Sequence, residues 1–232
     1  MSDAFVFAPP APPSVAVAGS SARFPVRRIF CVGRNYAEHA REMGNDPDRE
    51  PPFFFTKPAD SLVEDGAELP FPVATEDLHH EAELVVAIGR GGQDITREDA
   101  LSHVWGYAPG NDLTRRDLQA EAKAARRPWD MAKGFDASAL CGALRPVAEV
   151  GHPAAGRITA HVGGELRQSG DLAEQIWPVA DVIAHLSRLV ALAPGDLIFT
   201  GTPAGVGPIK PGQSCRVEIE GLGAAEVRYQ GG

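Results

Sequence analysis

Two carboxylates one residue apart, Glu81 and Glu83, stand in the run His79-His80-Glu81-Ala82-Glu83-Leu84-Val85-Val86-Ala87-Ile88-Gly89, and a third, Asp112, ends the run Val104-Trp105-Gly106-Tyr107-Ala108-Pro109-Gly110-Asn111-Asp112. Side chains in a strand alternate faces, so Glu81 and Glu83 point one way and Ala82 the other. If the two runs are neighbouring strands, the three acids converge. Unit charges about 4 Å apart repel by roughly 4 kcal/mol at an effective dielectric near 20, so such a cluster must hold protons or a cation. All-oxygen donors favour Mg2+ or Mn2+. The other reading of a bare Glu-x-Glu is a solvated acidic edge, and the rest of the chain must decide between them.

Three further segments carry side chains that could act beside such a site. In Arg34-Asn35-Tyr36-Ala37-Glu38-His39-Ala40-Arg41-Glu42-Met43-Gly44, read as a short helix, His39 and Glu42 lie three apart on one face, where the carboxylate can orient the imidazole. That makes either a general-base dyad or a surface ion pair. Glycines at both ends would let this helix move as a lid. After Asp112, Arg116, Gln119, Lys123 and Arg127 fall roughly on one helical stripe, which reads as a clamp for a second carboxylate or as a solvated face. Lys133 lies between Met131 and Phe135 in a packed-looking segment, where an ammonium needs a partner or a task. Finally, Thr200-Gly201-Thr202-Pro203-Ala204-Gly205-Val206-Gly207 ends a strand in a glycine-rich turn whose N–H groups could cradle a carboxylate. The turn lacks the Gly-Lys-Ser/Thr of a phosphate loop.

The elements that must position these residues are mostly strands. Arg28–Val32, Phe53–Phe55, Ile158–Val162, Leu197–Thr200 and Cys215–Ile219 read as strands, and 179–191 as the longest helix. Thr96-Arg97-Glu98-Asp99 and Thr114-Arg115-Arg116-Asp117 both resemble capping boxes. Strands outnumber helices without alternating with them, which predicts an α+β fold with a mixed, mainly antiparallel β core and peripheral helices rather than a Rossmann sheet. Residues 1–25, rich in Ala, Pro and Ser, are expected to run extended as an arm, with Phe5 to Phe7 pairing a sheet edge. Residues 26–232 then form one catalytic domain, since a chain of 232 residues with 44% hydrophobic content buries roughly 70% of its unfolded surface around one core. The net charge of −9 argues against nucleic acid or an anionic membrane as partner. The prolines at 9, 10, 12 and 13 break the N-terminal apolar stretch, so neither a signal peptide nor a membrane span is expected there. Three scattered cysteines, Cys31, Cys141 and Cys215, suit core positions in a reducing, cytoplasmic setting.

Six segments in order resemble the fumarylacetoacetate hydrolase family, specifically its compact acylpyruvate hydrolases. They are Gly33-Arg34-Asn35-Tyr36 with His39 and Glu42; Phe55-Thr56-Lys57-Pro58; His80 to Leu84; Asn111 to Gln119; Lys133-Gly134-Phe135-Asp136; and Thr200 to Pro203 with Gly205-Val206-Gly207. The resemblance spans about Ile29 to Val227. It implies a β-roll fold, a homodimer, and Mg2+ or Mn2+ on Glu81, Glu83 and Asp112. It also implies His39 and Glu42 on a lid, Lys133 as a stabiliser of oxyanion charge, and substrate contacts from Arg34, Tyr36, Arg116, Gln119, Gly201 and Thr202. The implied reaction is hydrolysis of the C–C bond of a 2,4-dioxo acid, with His39 deprotonating the attacking water. Pro51 to Phe55 and Trp177 to Asp181 are most similar to fumarylpyruvate hydrolases of gentisate breakdown. Two rivals stand beside this reading: decarboxylation of a 2-oxo diacid such as oxaloacetate, and a non-catalytic oxo-acid binding protein.

Overall fold

The computed structural model describes residues 5–38 and 50–231. Its centre is the strand Ala82–Ile88, buried at every position, which accounts for an unbroken apolar run where a half-exposed strand would alternate. On one side it pairs antiparallel with Val104–Asp112, and on the other antiparallel with Asp196–Phe199. The sheet continues through Arg28–Gly33, parallel to Asp196–Phe199, to the edge strand Phe53–Lys57. Beyond Val104–Asp112 it continues through Ala139–Cys141 to Leu62–Glu64, the last pair again parallel. A five-stranded sheet, in the order Glu165–Asp171, Arg157–Val162, Ser214–Ile219, Gly223–Tyr229, Ala67–Leu69, packs against it. A third sheet of three short strands centres on Leu78–His80. The curled, mainly antiparallel core with peripheral helices is the α+β architecture expected.

Alternation along Ala82–Ile88 feeds two cores. Ala82, Leu84, Val86 and Ile88 enter a cluster with Ile158, Val217 and the helix Val179–Leu189, whose Val182, Ile183 and Leu186 are buried. Val85 and Ala87 enter a cluster with Ile29, Cys31, Leu197 and Phe199. The face carrying Val85 also carries Glu81 and Glu83, so the acids sit at the open end of an otherwise apolar layer. All three cysteines are buried and free, as expected of core residues.

Several local expectations are corrected. Phe5 and Phe7 belong to no strand and are exposed. The N-terminal pairing comes instead from Ser14–Ala16 with Arg23–Pro25, whose Val15 and Phe24 enter the second core. Thr96 caps the helix Arg97–Ala100 as its signature predicts, accepting from the Asp99 N–H at 3.3 Å. Thr114 does not cap. It lies in the short strand Thr114–Arg115, and the helix Arg116–Ala124 starts after it. That helix stops three residues before Arg127, because Arg126 turns to φ 53°, so Arg127 leaves the predicted stripe. Of the expected helix at 34–44, Ala37 and Glu38 are helical, whereas Arg34 adopts φ 59° and Tyr36 bridges Gln175, so those two are not. His39 and Glu42 lie outside the described residues.

Candidate active site

The antiparallel register sets Ala82 opposite Asn111 and Glu83 opposite Gly110, and the Asp112 N–H donates to the Glu81 carbonyl at 2.9 Å. Asp112 therefore faces Glu81 across the strand pair. One carboxylate oxygen from each of Glu81, Glu83 and Asp112 falls within 4.8 Å of the others, and all three residues are buried. Burial first, then the charges of Asp112 and Glu81, pushes the Glu83 carboxyl well above the usual carboxylate range. Three converging hard oxygen donors, one of which resists ionisation, fit a divalent cation.

Two buried lysines partly balance the acids. Lys133 closes the one-turn helix Asp130–Lys133 and donates to Glu81 Oε2 and Asp112 Oδ2, both at 2.8 Å, and to Thr114 Oγ1 at 2.7 Å. Burial by itself would lower its pKa, but the charges of Asp112 and Glu81 outweigh that and raise it. Lys133 is thus an ammonium at neutral pH. Lys57, at the end of its edge strand, stands 2.8 Å from Asp112 Oδ1 and donates to the carbonyls of Leu113, at 3.0 Å, and Lys133. Lys57 lay within a recognised motif without a role, because its partner Asp112 is fifty-five positions away in sequence. Thr114 likewise serves the site rather than a helix end: its hydroxyl lies 3.2 Å from Glu81 Oε1.

Arg116 lines the site but is already committed. Its Nη2 lies 2.5 Å from Glu81 Oε1, its Nη1 donates to Gln119 Oε1 at 2.7 Å, and its Nε faces His79 Nδ1 at 3.4 Å. Gly201 corrects the expected carboxylate cradle, since its N–H donates at 2.7 Å to Glu83 Oε2, a carboxylate of the protein itself. The position requires glycine: φ is 93°, and a Cβ there would stand 2.6 Å from the Asn35 Cβ. Asn35 holds this corner, donating to the carbonyls of Thr200 and Trp177 and accepting from the Trp177 N–H. Thr202 is fixed by Gln168, which donates to its hydroxyl at 2.9 Å and accepts from the Ala82 N–H at 3.0 Å, tying the turn to the strand of the acids.

A cavity of about 370 Å³ opens on these groups. Its floor is Glu81, Glu83, Lys133 and Arg116, and its wall includes Arg34, Gln119, Lys123, Thr202 and the rings of Phe53, Phe55 and Trp129. Arg34, Arg116, Gln119 and Thr202 all line the cavity. Tyr36 is buried and does not line the cavity, although its phenol lies near enough to Glu83 to feel that carboxylate's charge. The aromatic wall could not be read as such, since Phe53, Phe55 and Trp129 alternate with ordinary core-type residues.

A curled, mainly antiparallel sheet that carries a buried three-carboxylate cage, two lysines and a cavity is a framework suited to a divalent cation beside a small-molecule pocket. The chain belongs to the fumarylacetoacetate (FAA) hydrolase C-terminal family, whose model matches residues 28–230. It is similar to the crystal structure of fumarylpyruvate hydrolase from Pseudomonas aeruginosa in complex with Mn2+ and pyruvate, at 52% identity and a TM-score of 0.96 over 99% of this chain and 100% of that one. A putative fumarylpyruvate hydrolase from Burkholderia cenocepacia is 58% identical, with a TM-score of 0.93 over 100% and 96% of the two chains. The mitochondrial oxaloacetate tautomerase FAHD1 of Arabidopsis thaliana is 42% identical over 202 residues, 87% of this chain and 89% of its own. No helix among the described residues is long and apolar enough to cross a membrane.

Proposed function

We propose that this protein hydrolyses the C3–C4 bond of a 2,4-dioxo acid, with fumarylpyruvate as the substrate and fumarate and pyruvate as products. The observation that carries the reading is the convergence of Glu81, Glu83 and Asp112 beside a cavity that Glu81, Glu83 and Lys133 line. The two similar structures of fumarylpyruvate hydrolase type support the choice of acyl group. A Mg2+ or Mn2+ ion held by Glu81, Glu83 and Asp112 supplies Lewis acidity toward the 2-oxo carboxylate end of the substrate. His39, supported by Glu42, takes a proton from water, and the resulting hydroxide adds to the C4 carbonyl. Lys133, held as an ammonium beside Glu81 and Asp112, stabilises the negative charge that develops on the C4 oxygen. The C3–C4 electron pair then passes to C3, fumarate leaves, and protonation at C3 yields pyruvate.

Arg116 keeps Glu81 in place rather than reaching for substrate, and Gly201 does the same for Glu83. Oxaloacetate is the second substrate to weigh, because a 42% identical relative is an oxaloacetate tautomerase and loss of CO2 from oxaloacetate leaves the same pyruvate enolate. One side-by-side assay with Mg2+ decides. Fumarylpyruvate is expected to release fumarate and pyruvate faster than oxaloacetate releases CO2 or changes tautomer, and His39→Ala is expected to slow the first reaction by roughly 10²-fold or more. Faster turnover of oxaloacetate would transfer the assignment to that substrate, and an undiminished His39→Ala rate would remove the imidazole from the scheme.

A further inference from the structure

The cations around the cavity differ in how fully they are used. Lys133 and Lys57 are matched by Asp112 and Glu81, Arg116 by Glu81, and Arg34 by Glu50 at 3.4 Å. Lys123 is different. It lies on the same helix face as Arg116 and Gln119, it lines the cavity, and it forms no ion pair among the described residues. Its ammonium stands 5.4 Å from the centroid of the Trp129 ring. Trp129 in turn packs edge-on against Phe53, with centroids 6.0 Å apart, and tilted against Phe55 at 5.6 Å. The guanidinium of Arg34 lies over the opposite end of this platform, 4.8 Å from the Phe53 centroid. An aromatic surface on the cavity wall thus carries a cation at each end. Although Lys123 is exposed, partial desolvation of its ammonium at the wall and then the charge of Arg116, opposed by Glu81 and reinforced by Lys133 and Arg34, lower its pKa. An anion brought into the cavity would relieve that repulsion.

We propose that Lys123, aided by Arg34 and held over Trp129, is the counter-ion for the second carboxylate of a long 2-oxo diacid, and so the residue that selects fumarylpyruvate over neutral acylpyruvates. This rests on the fumarylpyruvate reading and deepens it. Fumarylpyruvate carries its second carboxylate at C7, separated from the 2-oxo group by a flat unsaturated segment that suits the faces of Phe53 and Trp129. The C4 carboxylate of oxaloacetate lies only two carbons from its oxo group and does not extend to this wall. Lys123 therefore also discriminates between the two substrates considered above.

The test separates binding from turnover. 2-Oxoheptanedioate has the length and both terminal carboxylates of fumarylpyruvate but no C4 carbonyl, so it cannot be hydrolysed at C3–C4; pyruvate lacks the distal carboxylate. Calorimetry of the Mg2+-loaded protein is expected to show 2-oxoheptanedioate binding about tenfold more tightly than pyruvate, the scale of one charge-assisted hydrogen bond in a partly solvated site. Lys123→Met is expected to remove that advantage, Lys123→Arg to restore most of it, and Lys123→Glu to reverse it. In turnover, Lys123→Met is expected to lower the ratio of kcat/KM for fumarylpyruvate to that for acetylpyruvate about tenfold, chiefly through KM. A ligand preference that survives Lys123→Met, or a loss that falls equally on both ligands, would overturn the proposal. Failure of the wild-type protein to cleave either acylpyruvate would instead overturn the hydrolase reading, with the calorimetry still deciding the role of Lys123.

Discussion

The floor and the wall of one cavity are built on opposite plans. At and just beneath the floor, Glu81, Glu83 and Asp112 project from one strand pair, and each is gripped from elsewhere: Glu81 by Arg116 and Lys133, Asp112 by Lys57 and Lys133, and Glu83 by the Gly201 N–H. On the wall, Arg34, Phe53, Lys123 and Trp129 come from a turn, an edge strand, an exposed helix face and a loop, and they touch chiefly one another. Positions that must hold a multiply charged centre are over-determined by partners, so a change there disturbs several bonds together. Positions that meet the variable end of a substrate have few partners and can change singly. Families that keep one chemistry and vary the acyl group would do so at the wall.

The comparison breaks most sharply at Glu83. Glu83→Ala is expected to abolish metal-dependent turnover and to weaken Mg2+ binding by calorimetry, with the fold intact. Relief of repulsion with Asp112 and Glu81 offsets the hydrogen bond lost by Gly201. Mg2+ affinity equal to that of the parent would dismiss the three-acid assignment. At Lys57 the same floor should respond with the opposite sign. Lys57→Met leaves Asp112 short of one of its two ammonium partners, and breaking a buried pair costs about 3–5 kcal/mol, read as a lower urea midpoint in chelator-treated protein. A midpoint within error of the parent would mean that Lys57 does not serve as a fixed counter-charge.

The smallest contrast lies between Gly201→Ala and Arg127→Ala. The first puts a Cβ 2.6 Å from the Asn35 Cβ at φ 93° and is expected to cost about 1–3 kcal/mol together with part of the activity. The second alters an exposed side chain off the cavity and is expected to stay within about 0.5 kcal/mol in stability, with kcat/KM unchanged. Equal behaviour of the two variants in thermal unfolding and assay would show that the Gly201 turn is not constrained as described.

What could be read from residue order follows the same division. The convergence of Glu81, Glu83 and Asp112 was legible because strand alternation is a local rule and the two runs form neighbouring strands. The helix Val179–Leu189 was legible through its apolar spacing, to within two residues at its end. Thr114 was misread because a threonine three residues before an acid looks the same whether its hydroxyl caps a helix or turns toward Glu81. Gly201 was assigned to substrate because a glycine-rich turn reveals a free N–H but not which carboxylate comes to meet it. Arg127 fell off its stripe because the helix ends at Ala124, a stop that Pro128 signals by disfavouring helix at the residue before it. The other misses are contacts whose partner lies elsewhere in the fold.

The parallel pairing of Arg28–Gly33 with Asp196–Phe199 also orders events in time. Glu81, Glu83 and Asp112 belong to one antiparallel strand pair joined by residues 89–103, a far shorter connection than the one that brings Arg28–Gly33 beside Asp196–Phe199. Gly201, which follows Asp196–Phe199, reaches Glu83 only after a strand from near the start of the chain has found one from near its end, and such long-range closures are slow. The acids are therefore expected to pair before the N–H that orients Glu83 arrives, and Mg2+ binding followed during refolding is expected to appear only in the last phase.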